Sequence, residues 1–265
     1  LSAPTPAIVR GSEPAALALL GETPCADPSA LRRGLAEPDA PALAEAGARL
    51  RDRLDDLRAD HWLGLNADAL EGVRAVVQEA AALDHPPVRA EALLLAGAIE
   101  LALGQYDDAE RSLKEALWHA EASHHDEVAV DSLSLLVRVL GVHLGRHEEA
   151  SHLAPRLTAA IRRLGDRRRE VASLRALGRA EAEAGNHEAA RVRLESARDL
   201  AGSLRGDVGE AQVAGVHLDL AGSLRASRRY DEAAVAAQRA LERLERLYGV
   251  DHPRVAAAAL ELCEG

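Results

Sequence analysis

The chain has 265 residues, 48% of them hydrophobic and 28% charged, a length that suits one large domain or two small ones. It holds no Phe and no Met, with two Trp and three Tyr. Sheets lean on aromatic and β-branched residues, so this composition excludes a sheet-rich fold, and strong helix formers predict an all-α one. With 32 basic against 43 acidic residues (net charge −11), the chain lacks the footprint of a nucleic-acid binder, and no apolar run nears the roughly 20 residues that span a bilayer.

Residues 1–41 carry seven of the eleven prolines. They predict a short helix near Ala15–Leu20 and an irregular stretch that leads into and caps a helical array, followed by a long helix from about Asp39 to Asp60. The absence of Met predicts that Leu1 lies inside a longer protein, and no signal-peptide pattern follows it. Cys25 and Cys263 stand at opposite ends, without metal-ligand spacing and ill placed for a mutual disulfide.

Residues 42–265 read as a row of repeats. One phrase recurs: a small apolar helix end, Gly, any residue, a ring, two polar residues, then Ala. It appears as LALGQYDDAE around Gly104, HLGRHEEA around Gly145, AEAGNHEAA around Gly185 and ASRRYDEAA around Arg228, with a weaker copy, HWLGLNADA, around Gly64. The spacings between these turns are 40, 41, 40 and 43 residues. A turn glycine supplies the positive φ that ends helix A, acidic residues (Asp107, Asp108; Glu148, Glu149; Asp231, Glu232) suit the start of helix B, and Ala109, Ala150, Ala190 and Ala233 let two helices approach. About five units are expected, the last cut at Gly265. Pro155 falls inside a helix B and predicts a kink or a late start.

The remaining residues offer little chemistry. His124-His125-Asp126-Glu127 cannot close one tetrahedron, since adjacent helical residues point about 100° apart; it reads as an interhelix turn with Asp126 capping the next helix. His143 and His147 straddle a turn, with His147 in the ring position. Arg162-Arg163 and Arg167-Arg168-Arg169 read as a solvated helix start, a phosphate site being the alternative. Trp118 is expected in the core. The H-E-x-x-H, G-x-S-x-G, G-x-G-x-x-G and Walker patterns are absent, so no catalytic residue, cofactor or metal is expected.

The unit resembles the tetratricopeptide repeat, a helix-turn-helix of about 34 residues. Gly97 and Gly178 fall on that family's helix A glycine, seven residues before a turn glycine. The longer units are similar to the repeats of kinesin light chain, and LYGVDHPRVA looks like that branch's linker, with Asp251 as a cap and Pro253 in the first turn of the next helix. The run PPVRAEALLLAGAIELALGQYDDAERSLKEALWHAEASHHDEVAV and the upstream TPCADPSALRRGLAEP look like the repeat region C-terminal to the kinase domain of large bacterial serine/threonine kinases of the myxobacterial type. No kinase motif occurs in the chain itself, and the resemblance leaves the side of the membrane open.

What the resemblance implies is a right-handed α-solenoid whose A helices line a concave groove. The family's groove positions, counted from each turn, fall on Arg51, Arg58 and Trp62; Glu91, Leu94 and Leu101; Leu135, Val139 and His143; Arg175, Arg179 and Glu183; and Leu218 and Arg225. Apolar residues in the middle with arginines around them suit a peptide or protein segment with apolar anchors and an acidic or C-terminal carboxylate group. The alternative is that these arginines pair with acids of adjacent units. The implied function is a non-catalytic interaction or sensor scaffold beside a kinase, and the alternative function is a self-associating repeat module.

Overall fold

The computed structural model describes residues 40–250 together with 255, 256, 258 and 259. The expected helix near Ala15–Leu20, both cysteines and the Asp251–Pro253 cap lie outside these residues. Among the described residues there is no strand. Ten α-helices follow one another: α1 (Pro41–Trp62), α2 (Asn66–Ala82), α3 (Pro86–Ala102), α4 (Tyr106–Ala122), α5 (Asp126–Arg138), α6 (His147–Leu164), α7 (Arg167–Glu183), α8 (His187–Gly202), α9 (Gly206–Ala226) and α10 (Tyr230–Tyr248). A π-helical segment, Val139–His143, continues α5. The odd-numbered helices are the A helices and the even-numbered ones the B helices.

Left-handed residues set this rhythm. Gly64, Asp84, Gly104, His124, Gly145, Gly165, Gly185, Gly206, Arg228 and Gly249 all have positive φ, 20 to 22 residues apart, and each lies at a helix boundary. The five turns of the recurring phrase are therefore half of the set; the other five, the turn read at His124 among them, close each repeat onto the next. The 21 residues from His124 to Gly145 are one more than in the preceding half-repeats, and the π segment takes up the extra residue: Leu144 N–H bonds Val139 O at 2.9 Å, five residues back.

The described residues form two compact units that divide between Leu136 and Val137. In the first, Leu50 and Leu54 of α1, Val73 and Val76 of α2, and Val88, Leu95 and Ile99 of α3 share one core. In the second, Leu194 of α8, Val213, Val216 and Leu220 of α9 and Ala237 of α10 make another. Both units are layered alike. Successive A helices pack directly, α1 on α3 in the first unit, the π segment on α7 and α7 on α9 in the second; no two successive B helices pack to a comparable extent. The small residues of the repeat phrase, Ala109, Ala150, Ala190 and Ala233, are all buried.

Two local expectations are corrected, those for Trp118 and Asp126. At Pro155 the late start is absent, since α6 starts at His147 and runs through the proline; Pro155 and Ser151, whose carbonyl the ring deprives of a donor, both lie on the exposed side. Trp118 is 67% exposed, because it falls one residue past the buried Leu117 and hence about 100° around α4. Its ring meets the His119 ring edge to face, at a centroid distance of 4.7 Å. The turn at His124 is present, but Asp126 is the first residue of α5 and not its cap. The arginine run does open a helix: Asp166 caps α7 by accepting from Arg168 N (2.8 Å) and Arg169 N (3.1 Å).

Candidate functional site

In the first unit, Arg51 of α1 and Glu91 of α3 occupy the same position on successive A helices, 40 residues apart. The Arg51 Nε donates to both Glu91 oxygens (3.0 and 3.1 Å), and His125, at the turn before α5, reaches Oε1 through Nε2 at 3.2 Å. One carboxylate thus ties three consecutive repeats together. Burial pushes the Glu91 carboxyl up, but the His125 hydrogen bond and the Arg51 charge outweigh it and hold the group below the ordinary carboxylate range. Nearer the end of α1, Arg58 pairs within its own helix with Asp55 (2.5 Å), and Trp62 is half-buried. Beside Trp62, His61 Nδ1 lies 2.6 Å from Asn66 Oδ1. Leu94 and Leu135 keep part of their surface, whereas Leu101 is 6% exposed and belongs to the core.

The second unit repeats the device with a different residue. Arg175 of α7 donates through Nε to Asp219 of α9 at 2.5 Å, and Arg179 stands 3.8 Å from the other oxygen of the same carboxylate. The Arg175 guanidinium lies flat over Gly215, where any Cβ would come within 2.8 Å of it. Asp219 is almost wholly covered, while Arg179 keeps a substantial exposed area. His143 is half-buried among Arg138, Arg179 and Glu183; burial and the two arginines hold it below the ordinary histidine range, against the pull of Glu183. Glu183 itself is exposed, Arg225 is half-buried, and Leu218 packs on the Ala214–Leu244 cluster between α9 and α10.

Val139 has no exposed surface at all. Val139 is the first residue of the π segment, and its neighbour Arg138, not Val139, keeps the partial exposure expected at this position. Leu101 and Val139 are therefore corrected to core residues. Sequence reasoning also misses Asp219 and His125. A signal for Asp219 is present: like Arg51 and Glu91, Arg175 and Asp219 are opposite charges about one repeat apart.

Within each unit the A layer offers partly exposed leucines beside arginines whose charge is already met by an acid of the next repeat. This is the pairing that the sequence leaves as the alternative for Arg51, Arg175 and Arg179. Among the described residues no group of three or more His, Cys, Asp or Glu could hold a metal ion, and no helix is long and apolar enough to cross a membrane.

Residues 218–254 match a family model described as tetratricopeptide repeat. No match is found among curated proteins. Solved structures similar to this chain include a point variant of the nearly identical TPR-like repeats from a putative kinesin light chain of Podosopora anserina, 22% identical, covering 76% of this chain and 96% of that one with a TM-score of 0.58. A Rap protein complexed with competence and sporulation factor is 13% identical, covering 80% of this chain and 61% of that one with a TM-score of 0.68. BtubC (BKLC) from P. vanneervenii is 17% identical over 80% of this chain and 81% of that one, with a TM-score of 0.55. At these identities the likeness is one of fold: the chain is an all-α array of tetratricopeptide-like helix pairs.

Proposed function

We propose that this repeat chain is a non-catalytic interaction module that binds a peptide or protein segment on its A-helix face, as the sensor or recruitment part of a serine/threonine kinase. The observation that carries the binding reading is the part-exposed Leu94 and Leu135 on A helices whose adjacent residues are buried. Side chains so placed anchor a segment through alternate apolar contacts. In the second unit, taken by itself, Arg179 keeps exposed surface although Asp219 lies 3.8 Å away, and its charge suits an acidic side chain or a terminal carboxylate. The kinase context is supported by the resemblance of residues 86–150 and of the segment before them.

Selection from a random peptide library on the 265-residue chain tests this reading. Selected peptides bind at least tenfold more weakly to the Leu94→Ala plus Leu135→Ala variant, and acidic ones lose affinity for Arg175→Ala plus Arg179→Ala. Unchanged affinity for all selected peptides in both variants overturns binding on this face. Trp118, exposed on a B helix, favours self-association as a second reading. It requires the sedimentation coefficient to rise with concentration, and to stop doing so in Trp118→Ala.

A further inference from the structure

We propose that His85 is a proton-operated latch that holds α1 against the second repeat and releases it in mild acid. His85 lies at the turn between α2 and α3 and is only 4% exposed. Its Nδ1 accepts the backbone N–H of Val88 at 3.4 Å, a long bond that caps the start of α3. Accepting at Nδ1 places the proton of the neutral ring on Nε2, and Nε2 is buried without a hydrogen-bond partner. This edge of the ring presses on α1 at Gly47: a Cβ there would lie 2.6 Å from Nε2 and 3.1 Å from Cδ2.

A second proton has to go to Nδ1, where it meets the Val88 N–H donor to donor. The cap of α3 is lost, and the imidazolium finds no free acceptor. Two charged side chains face the ring, Arg51 from α1 and Glu91 from α3. Arg51 repels the cation, and the Glu91 carboxylate that would attract it is already engaged by Arg51 and His125. Burial first, then Arg51, accordingly keep His85 below the ordinary histidine range in spite of Glu91 and a backbone hydrogen bond.

A histidine depressed in the closed state takes up its proton more readily when the site opens. The contact is therefore at full strength above about pH 6.5 and weakens as the pH falls below that ordinary value. Gly47 covers Nε2, so lifting α1 brings the charged ring to water while α3 and α4 stay packed. Lifting α1 also takes Arg51 away from Glu91, which opens the A face of α3 beside Leu94.

Hydrogen exchange on the 265-residue chain at pH 7.5 and 5.0, corrected for intrinsic rates, tests the latch. Protection of the Pro41–Trp62 amides should fall at least tenfold relative to those of Tyr106–Ala122 on acidification. His85→Gln, whose side-chain oxygen still accepts from Val88 but takes no proton, should reduce that fall to under threefold, while His125→Gln should leave it. Equal relative protection at the two pH values, or an undiminished fall in His85→Gln, overturns the latch. If His85→Gln does not fold, the ring-proton titration of His85 in the unaltered chain decides: a midpoint at or above 6.5 rejects the proposal.

Discussion

Two contacts, one in each unit and 81 residues apart, show what the repeat specifies and what it leaves to local choice. In α3, a Cβ on Gly97 would lie 2.6 Å from Leu113 Cγ and 3.4 Å from the Ala109 carbonyl; in α7, one on Gly178 would lie 2.7 Å from Leu194 Cγ and 3.4 Å from the Ala190 carbonyl. The apolar joint between helix A and helix B is thus reproduced to within about 0.1 Å. The polar closure three residues further along helix A is not. Glu100, almost wholly covered, accepts from Ser112 (2.7 Å) and from Arg74 of the preceding helix (3.1 Å). Glu181, more open, accepts from Arg193 (2.6 Å). Packing fixes the joint; any donor twelve residues on can close it.

The sharpest way to break this equivalence is to remove the leucines. Leu113 and Leu194 are both fully buried, and truncating either to Ala should cost roughly 3 kcal/mol, within the usual range of about 2–5 for such a change. The costs should match to within about 1 kcal/mol. Gly97→Ala alone overpacks the joint, an effect partly offset by better helix propensity, and should cost about 1 kcal/mol. In Leu113→Ala the new methyl finds room, so the double variant should recover about 1 kcal/mol against additivity. Urea unfolding of the four proteins checks this; strictly additive values would mean that the two residues do not share the space.

Both units hold buried histidines, His85 and His119 in the first and His217 in the second. His217 in α9 is held down to about 4, chiefly by burial and then by Arg243, Arg239 and Arg198. Its folded value lies below the unfolded one, so the unfolded chain binds the extra proton, and stability is lost as the pH falls from about 6.5 to about 4. At about 1.4 kcal/mol for each tenfold change in proton affinity, that loss is about 3 kcal/mol for the second unit. The difference in stability between the unaltered chain and His217→Gln, followed in α9 and α10 by hydrogen exchange, should shrink by that amount over this interval. A difference that is flat with pH would show that His217 charges freely in the folded protein.

Much of this architecture is legible in the sequence. The A-to-B turns and the buried alanines follow from the recurring phrase, and Gly97 and Gly178 from the family resemblance, because a left-handed turn and a close helix approach each restrict which residues can stand there. The intervening turns are less legible, because Gly165, Gly206 and Gly249 stand outside the recurring phrase and Asp84 adopts positive φ without a glycine; only the run at His124 reads as a turn. Val139 is misplaced by the π segment, which changes the register without changing the composition. Trp118 is misplaced because one step along a helix separates core from solvent. The charge ladder is only half legible: Arg51 and Arg175 fall on groove positions by the repeat count, but whether they meet an internal acid depends on side-chain reach between repeats.

That ladder yields a smaller effect. Arg175→Ala leaves the Asp219 carboxylate, 6% exposed, with only the more distant Arg179, and should cost about 2 kcal/mol. Arg49 and Glu45 form an exposed pair on α1, and Arg49→Ala should cost under about 0.5 kcal/mol. Thermal unfolding of both variants measures the contrast. If Arg175→Ala proves as mild as Arg49→Ala, the arginine is not a structural tie, and its place on the A layer serves binding instead.

The smallest effect comes from the turns. Gly185 and Arg228 hold equivalent positions in successive repeats, with φ of +80° and +61°. A side chain in this region sets Cβ against the following carbonyl and costs about 1–2 kcal/mol, whereas glycine escapes that strain but gives up more freedom on folding, about 0.5–1 kcal/mol. Arg228→Gly should therefore stabilise the second unit by a few tenths to about 1 kcal/mol, and Gly185→Ala should destabilise it by about 1 kcal/mol. The exposed Arg229 pairs with Glu232 next to the turn, and this pair is unaffected by either change. A loss of stability in Arg228→Gly would show that the arginine side chain contributes more to the fifth repeat than its backbone strain takes away.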